Sequence, residues 1–187
     1  MRTVIARVFD YSLDGLIPEE DTEFYRFCRG LPDTPASDAF SEEFEAGADV
    51  HIMGRVHYQQ MAAAFSNNSD DPFSEMLTAA RKVVFSRTLK TADWANTTIT
   101  DGDLAEEVDK LRRGGAGYIL ASGGVGFWRS LARLDLVDEY RVTMVPYLAA
   151  SGGTRLFDDA DKSRRLDLLS STTFDNGTVG LRYRRRR

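Results

Sequence analysis

The stretch "YILASGGVGFWRSLARLDLVDEYRVTMVPYL", residues 118–148, decides the fold of this chain. It opens with an apolar run typical of a buried strand and breaks at a glycine-rich turn over residues 122–126. An amphipathic helix is predicted next, over residues 126–136, and then a strand with one better-buried face over residues 138–148. Strand, glycine turn, helix and strand in this order predict neighbouring strands of a parallel sheet.

The rest of the chain continues this alternation. Strands are predicted at residues 3–9, 48–54, 81–86 and 97–100, helices at 19–30, 55–65 and 101–115, and a closing hairpin at 172–184. Residues 31–40 contain two prolines and are interpreted as an irregular surface excursion. The order predicts an α/β fold with a mainly parallel sheet and an antiparallel C-terminal edge. No repeat or linker divides the chain, so we expect one domain over residues 1–187.

Composition excludes several classes of protein. The chain has 187 residues and a net charge of -5, which provides no general basic field for nucleic acid. A single cysteine excludes an intramolecular disulfide and favours a reducing, cytoplasmic setting. No apolar run approaches the roughly 20 residues of a membrane span, and the N-terminal segment is not typical of a signal peptide. The basic tail at residues 182–187 is expected to be a frayed, solvated terminus.

The glycines of residues 122–126 have two possible explanations. A strand-to-helix turn needs glycine wherever φ is positive, whatever the turn binds. Alternatively, the turn seats an anion, because a helix that begins at the carboxyl end of a strand presents free N–H groups and the positive end of its dipole. Glycines would then remove the Cβ atoms that hold an anion away. This segment taken alone does not choose between the two.

Two other strand ends favour the anion. Gly54 and Arg55 follow one predicted strand, and Ser86, Arg87 and Thr88 follow another. A guanidinium with neighbouring hydroxyls suits a phosphate monoester, through charge-assisted and often bidentate hydrogen bonds. Three such ends predict a dinucleotide with an additional phosphate, NADPH rather than NADH. The alternative is that both arginines only solvate surface turns.

Five segments in order and spacing resemble the dihydrofolate-reductase-like family: "SLDGLI", "IMGRVHY", "VVFSRTL", the stretch quoted above and "GGTRLF". They resemble more closely the reductase domain of the riboflavin-biosynthesis bifunctional deaminase–reductase, over residues 3–183. The resemblance implies a three-layer α/β/α fold with a central sheet of about eight strands. It also implies NADPH bound across the carboxyl ends of the strands, hydride transfer to a flat heterocycle, and a homodimer.

The same resemblance implies roles for individual residues. Gly54 and Arg55 would contact the cofactor phosphates, and Ser86 and Arg87 would hold the 2′-phosphate. The pyrophosphate loop would be formed by Gly123, Gly124, Val125, Gly126 and Phe127, and the mobile loop beside the nicotinamide by Ser12, Asp14, Gly15 and Leu16.

Two positions depart from the family pattern. His57 stands where relatives place a hydroxyl that bonds a phosphate; an imidazole can also donate, and a nearby phosphate should raise its pKa. Ser122 stands where the deaminase–reductases carry a glutamate, which argues against their ribosylaminopyrimidine substrate. Residues 18–48, which match the family poorly, are expected to build the substrate pocket.

The proton donor is not identified by any motif. Asp14, Asp21 and Glu23 are the candidates for general acid chemistry, although Asp14 could instead bond backbone and the other two could be solvated. Two histidines and one cysteine at unrelated spacings predict no metal site. Two hypotheses remain. The first is an NADPH-dependent reductase of a small heterocyclic, pterin- or pyrimidine-like, substrate, and the second is a dimeric NADP(H)-binding protein without turnover.

Overall fold

The computed structural model describes residues 1–68, 70–158 and 162–186. Over these residues the chain forms ten strands and six helices. The strands are β1 Val4–Tyr11, β2 Leu16–Pro18, β3 Ala48–Gly54, β4 Lys82–Phe85, β5 Thr97–Thr100, β6 Tyr118–Gly123, β7 Glu139–Met144, β8 Gly153–Arg155, β9 Leu166–Thr173 and β10 Val179–Arg185. The helices are α1 Glu23–Gly30, α2 Pro35–Ala46, α3 Arg55–Phe65, α4 Pro72–Ala79, α5 Leu104–Arg112 and α6 Val125–Arg133.

Eight of these strands form one sheet in the order β5-β4-β3-β6-β1-β7-β10-β9. All pairs from β5 to β7 are parallel, and β10 pairs antiparallel with both β7 and β9. The strands β2 and β8 form a separate antiparallel pair. The prediction of a mainly parallel sheet of about eight strands with an antiparallel C-terminal edge is therefore confirmed.

Helices cover both faces of the sheet, because alternate residues of a strand point to opposite sides. Val50 and Ile52 of β3 lie in a core cluster with residues of α5 and α6, whereas Met53 lies in a second cluster with residues of α3 and α4. The helix α1 packs separately, through Phe24 and Cys28, against Leu16. These contacts define the three layers α/β/α. No helix among the described residues is both long and apolar enough to cross a membrane.

Buried charges lie on the face covered by α2. Arg7 of β1 forms an ion pair with Glu45 at the end of α2, and both side chains are almost completely buried. His51 of β3 is also buried, and its Nδ1 lies 3.2 Å from the hydroxyl of Ser122. A buried charge is tolerated only when it is paired, so the Arg7–Glu45 pair fixes how α2 docks onto the sheet.

The helix α2 corrects the expectation of an irregular excursion at residues 31–40. Pro35 is the first helical residue, where its missing N–H and fixed φ favour a helix rather than break it. Thr34 caps this helix in a reciprocal arrangement: its hydroxyl accepts from the Ser37 N–H, and the Ser37 hydroxyl accepts from the Thr34 N–H. Pro35 therefore marks a helix start.

The C-terminal tail is also more ordered than expected. The strand β10 continues to Arg185, and Arg184 lies opposite Glu139 of β7. Arg185 forms ion pairs with Asp135 and Asp138, and Arg186 with Asp167, at 2.7 Å. The expectation of a frayed terminus is wrong through Arg186, because acidic groups on the neighbouring elements pair with the arginines. Arg187 lies outside the described residues.

Candidate functional site

The three predicted strand ends are neighbours in the structure. Gly54 at the end of β3 lies in register with Phe85 at the end of β4, and Met53 lies in register with Gly123 at the end of β6. These strands are parallel, so their carboxyl ends open at one edge of the sheet, where ligands of open α/β sheets bind. The structure thus brings the glycine turn, Gly54 and the Ser86 segment together.

The N-terminus of α6 is shaped by glycine. Gly124 is the N-cap residue with φ of +91°, a conformation that a residue with a Cβ rarely adopts, and no side chain caps the helix. Its carbonyl oxygen accepts from the N–H groups of Phe127 and Trp128, each at 2.9 Å. A Cβ at Gly126 would meet no atom of the described residues within 4 Å, and Val125 packs into the core. In this first turn the backbone N–H groups of Val125 and Gly126 have no acceptor among the described residues.

The helix α3 begins beside α6. Gly54 is its N-cap and, as at α6, no side chain caps the helix. A Cβ at Gly54 would lie 3.5 Å from the Cβ of Phe127, so the two helix starts are in contact. The Arg55 side chain points along α3, and its Nη1 donates to Gln59 Oε1 at 2.9 Å. Two positive helix ends next to each other are a strong site for an anion.

His57 lies between these two helix starts. A Cβ at Gly123 would overlap three atoms of the His57 ring, so the imidazole rests against the backbone of the glycine turn. The Nε2 atom is buried and has no hydrogen-bond partner among the described residues. Burial lowers the pKa of His57 to about 4, so the ring is neutral at physiological pH.

Ser86 and Arg87 line a cavity of about 420 Å³ next to the helix starts. The Ser86 hydroxyl accepts from the N–H groups of Thr88 and Leu89, at 3.2 and 2.9 Å, which folds the segment into a tight turn. The Arg87 guanidinium is exposed and makes no hydrogen bond or ion pair with any described residue. Two carboxylates also line the cavity, Asp101 and Asp103, of which Asp103 is engaged as the N-cap of α5.

The loop of residues 12–16 is held on both sides. Ser12 is fully buried, and its hydroxyl accepts from the Leu16 N–H at 2.8 Å, while Gly15 has φ of +87°. The Asp14 carboxylate accepts from the N–H groups of Ala149 and Ala150, at 3.0 and 2.8 Å. A hydrogen bond from Ser12 and the two backbone bonds lower the pKa of Asp14 to about 2. Asp14 is therefore ionised and engaged with backbone, a geometry that favours a structural role.

The other two proton-donor candidates lie apart from this edge. Asp21 is exposed, with φ of +64°, just before Thr22, the N-cap of α1. Glu23 is exposed in the first turn of α1, where an acidic side chain favours the helix dipole. Neither residue lines the cavities described for this edge of the sheet.

A polar cavity of about 250 Å³ lies at the carboxyl ends of β1 and β7. Asp10 in its wall has φ of +51° in the bulged end of β1, and its carboxylate pairs with Arg29. Burial raises the pKa of Asp10, although Arg29 acts in the opposite direction. Sequence reasoning missed Asp10, because nothing in "VFDYS" distinguishes it from an ordinary turn residue. The lining is formed by Phe9, Asp10, Cys28, Arg29, Leu31, Pro32, Asp33, Ser37, Asp38, Ser41, Thr143, Val145, Asn176 and Thr178.

A larger cavity of about 460 Å³ lies on the opposite face of β7 and β10. Its surface is mostly apolar, with Tyr140, Val142 and Leu181 in its wall, although Lys162 and Arg164 also line it. The smaller cavity opens at the carboxyl ends of parallel strands, where ligands of open α/β sheets bind, so it is the better candidate for a heterocycle. Among the residues that the structure describes, no three His, Cys, Asp or Glu side chains are arranged to hold a metal ion.

The fold and this edge define a dihydrofolate-reductase-like α/β protein. Dihydrofolate reductase from Enterococcus faecalis, solved with NADP(H) and RAB-propyl, superimposes with a TM-score of 0.64 at 14% identity, covering 99% of this chain and 97% of that one. A protein from Shewanella sp. PV-4 described as a candidate riboflavin biosynthesis protein superimposes with a TM-score of 0.79 at 22% identity, covering 99% of both chains.

Sequence comparison then gives the family. The model of the RibD C-terminal domain matches residues 2–180, and the chain belongs to this family. Uncharacterized protein YyaP of Bacillus subtilis (strain 168) is 28% identical over 177 residues, covering 92% of this chain and 89% of that protein. The resemblance drawn from the five sequence segments is therefore confirmed.

Proposed function

We propose that this chain is an NADPH-dependent reductase that transfers a hydride to a small heterocyclic, pterin- or pyrimidine-like, substrate. One observation carries the proposal: two uncapped helix N-termini meet at the carboxyl ends of β3 and β6. Beside them lies Arg87, whose guanidinium has no acidic partner in the part of the chain that the structure describes. The NADP(H) bound by the Enterococcus faecalis reductase of similar fold supports it.

The residues present fit the anionic groups of NADPH. The first-turn N–H groups of α3 and α6 would hold the pyrophosphate. The buried Nε2 of His57 has no hydrogen-bond partner among residues 1–68, 70–158 and 162–186, and an oxygen of the pyrophosphate would supply one. Arg87, with the hydroxyls of Ser86 and Thr88, would hold the 2′-phosphate. Asp101 in the same cavity opposes that phosphate, so the Arg87 charge has to outweigh it.

The polar cavity at the ends of β1 and β7 is the proposed substrate site. β1 is the strand next to β6, about 5 Å away. A substrate ring in this cavity would therefore lie next to the proposed coenzyme site at the N-termini of α3 and α6. Residues 28–41 form much of its wall, within the segment expected to build the pocket. Bound NADPH supplies the hydride, and the chain positions the ring and excludes water.

We propose that Asp10 is the carboxyl group that donates a proton to the substrate. It lines the cavity, its pKa is raised by burial, and its strained φ holds it at the strand end. Asp14 is a poorer proton donor, because its carboxylate stays ionised, and Asp21 and Glu23 are solvated. Ser37, Ser41 and Thr143 add hydroxyl groups that suit the ring nitrogens of a heterocycle.

The second candidate function is a dimeric NADP(H)-binding protein without turnover. It is favoured by the ion pair between Asp10 and Arg29, because Arg29 acts to lower the pKa of Asp10, against the burial that raises it, and so makes Asp10 a weaker proton donor. In that case the coenzyme would bind, but the adjacent cavity would not support hydride transfer. Dimerisation itself remains a prediction from the family resemblance, and a cytoplasmic location remains a prediction from the single cysteine.

One experiment separates the two functions. The NADPH absorbance of the purified chain is followed with a panel of dihydropterins, pyrimidines and quinonoid compounds, while calorimetry measures NADP⁺ binding. Substrate-dependent oxidation supports the reductase, and binding without oxidation by any compound supports the second function. If NADP⁺ does not bind, both are wrong.

Asp10→Asn tests the substrate site within the same assay. We expect turnover to fall about 100-fold, the usual range for loss of a general acid, while NADP⁺ affinity stays within about twofold. Asp33→Asn, an exposed position on the rim of the same cavity, is the matched control and should retain turnover. Full activity in Asp10→Asn would exclude Asp10 as the functional carboxyl group.

A further inference from the structure

The imidazole of His57 occupies the junction of the two helix starts. His57 is the third residue of α3, and its ring contacts Gly123 so closely that a Cβ there would overlap it. The Cβ of His57 also lies 3.7 Å from where a Cβ of Gly124 would be. Any anion held by the N-termini of both α3 and α6 would therefore lie within reach of this ring.

The ring has an unused hydrogen-bonding atom at this junction. Nε2 is buried and has no partner among the described residues. A buried polar atom without a partner is rare, because leaving one unsatisfied destabilises the folded state. A ligand oxygen at the junction would satisfy it.

The described groups that surround the His57 imidazole do not fix its charge, so a bound ligand can change it. The β6–α6 turn presents Gly123, Gly124 and Phe127, none of which titrates. From α3 itself come Arg55, whose guanidinium donates to Gln59, and Tyr58, whose hydroxyl accepts from the Trp94 N–H. Burial lowers the pKa of His57 to about 4, and no charged side chain of the described residues adds to this shift.

We propose that His57 binds the coenzyme pyrophosphate through Nε2 and takes up a proton as it does so, so that coenzyme binding by this chain is coupled to proton uptake. This inference rests on the proposed function of the site. A hydroxyl at position 57 would donate to the same phosphate with no change of charge. His57 therefore gives the chain a pH dependence of coenzyme affinity that a threonine would not.

The direction of the effect follows from linkage. The free protein has a neutral His57 above about pH 4. An adjacent dianion favours the charged imidazolium and raises the pKa of His57 in the complex. Between the two pKa values the affinity for the coenzyme increases as pH falls, by at most about tenfold per pH unit. The imidazolium then donates a charge-assisted hydrogen bond to the pyrophosphate.

Calorimetry of NADP⁺ binding tests this coupling. NADP⁺ is titrated at pH 6 into the wild-type chain and into His57→Gln, in buffers of different ionisation enthalpy, which gives the number of protons taken up per site. His57→Gln keeps an N–H donor but cannot take up a proton, so it is the matched control and also removes the contribution of the 2′-phosphate titration. We expect uptake in the wild type to exceed that in the variant by up to about one proton.

Nitrogen NMR of ¹⁵N-histidine-labelled protein gives a second readout that needs only the wild-type chain. With two histidines in the sequence, the His57 ring should change from the neutral form to the imidazolium when NADP⁺ is added. Equal proton uptake in wild type and His57→Gln, or a ring that stays neutral in the complex, overturns this inference while the proposed function stands. Absence of NADP⁺ binding to the wild type overturns both. Should His57→Gln fail to fold, His57→Thr replaces it.

Discussion

At the scale of single residues, the site depends on contacts between segments far apart in the chain. His57 and Gly123 are separated by 66 positions, and only the pairing of β3 with β6 brings them together. The departure of His57 from the family pattern is visible in the sequence, but its consequence is not. The burial of Nε2, which has no partner in the part of the chain that the structure describes, depends on the residues that lie opposite the ring. This contact also makes a direct prediction about packing.

Gly123→Ala should destabilise the chain because the new methyl group overlaps the imidazole. Overpacking of this kind typically costs about 1–3 kcal/mol. Adding His57→Ala should remove most of the penalty, so a double-mutant cycle from urea unfolding should give a coupling energy of at least about 0.5 kcal/mol. Gly126→Ala, where a methyl group would meet nothing within 4 Å, is the control. Additive effects of the two substitutions would contradict the contact.

At the scale of elements, the sequence pattern predicts helices and strands correctly where they are long and their apolar residues recur at a regular period. The stretch at residues 118–148 predicted β6, α6 and β7, and the structure has all three. The two missed helices, α2 and α4, both begin with a proline at the first helical position. Their caps, Thr34 and Asp71, are the available signal. The two prolines of residues 31–40, taken without the cap, favour an irregular segment instead. The pair β2–β8 has three residues per strand, too few for periodicity to show.

Asp14 connects two loops that are far apart in the chain, and the loss of its carboxylate should loosen this connection. Its carboxylate connects the loop of residues 12–16 to the backbone of Ala149 and Ala150. Asn in its place can accept only through one oxygen, so Asp14→Asn should increase amide hydrogen exchange at Ala149 and Ala150 while leaving exchange in β6 unchanged. Asp21→Asn, exposed and without such contacts, is the control. Unchanged exchange at both alanines would exclude the anchoring role.

At the scale of the whole molecule, the stability should depend on pH through the two histidines. Burial lowers the pKa of both His51 and His57 to about 4, from 6.5 in the unfolded chain. Between pH 6.5 and 4 the unfolded state therefore binds protons that the folded state does not, and the free energy of unfolding falls as the pH is lowered.

Urea unfolding at pH 7 and pH 5 measures this effect. We expect a loss of about 2 kcal/mol for each histidine over this range. One cooperative transition is expected, as for a single domain over residues 1–187. His57→Gln should lose about half of the pH-dependent part. A free energy of unfolding that is equal at the two pH values would contradict the neutral state of both rings in the folded chain.

The central claim is that the carboxyl ends of β3, β4 and β6 hold a coenzyme with a 2′-phosphate. Calorimetry of NADP⁺ and NAD⁺ with the wild-type chain and with Arg87→Ala tests it most directly, with Arg113→Ala as the control at an exposed arginine away from this edge. We predict that Arg87→Ala weakens NADP⁺ binding by about 10- to 100-fold, the loss of a charge-assisted bond, with NAD⁺ binding unchanged and Arg113→Ala like the wild type. Equal affinity of the wild type for the two coenzymes, or equal binding of NADP⁺ by wild type and Arg87→Ala, would contradict the account.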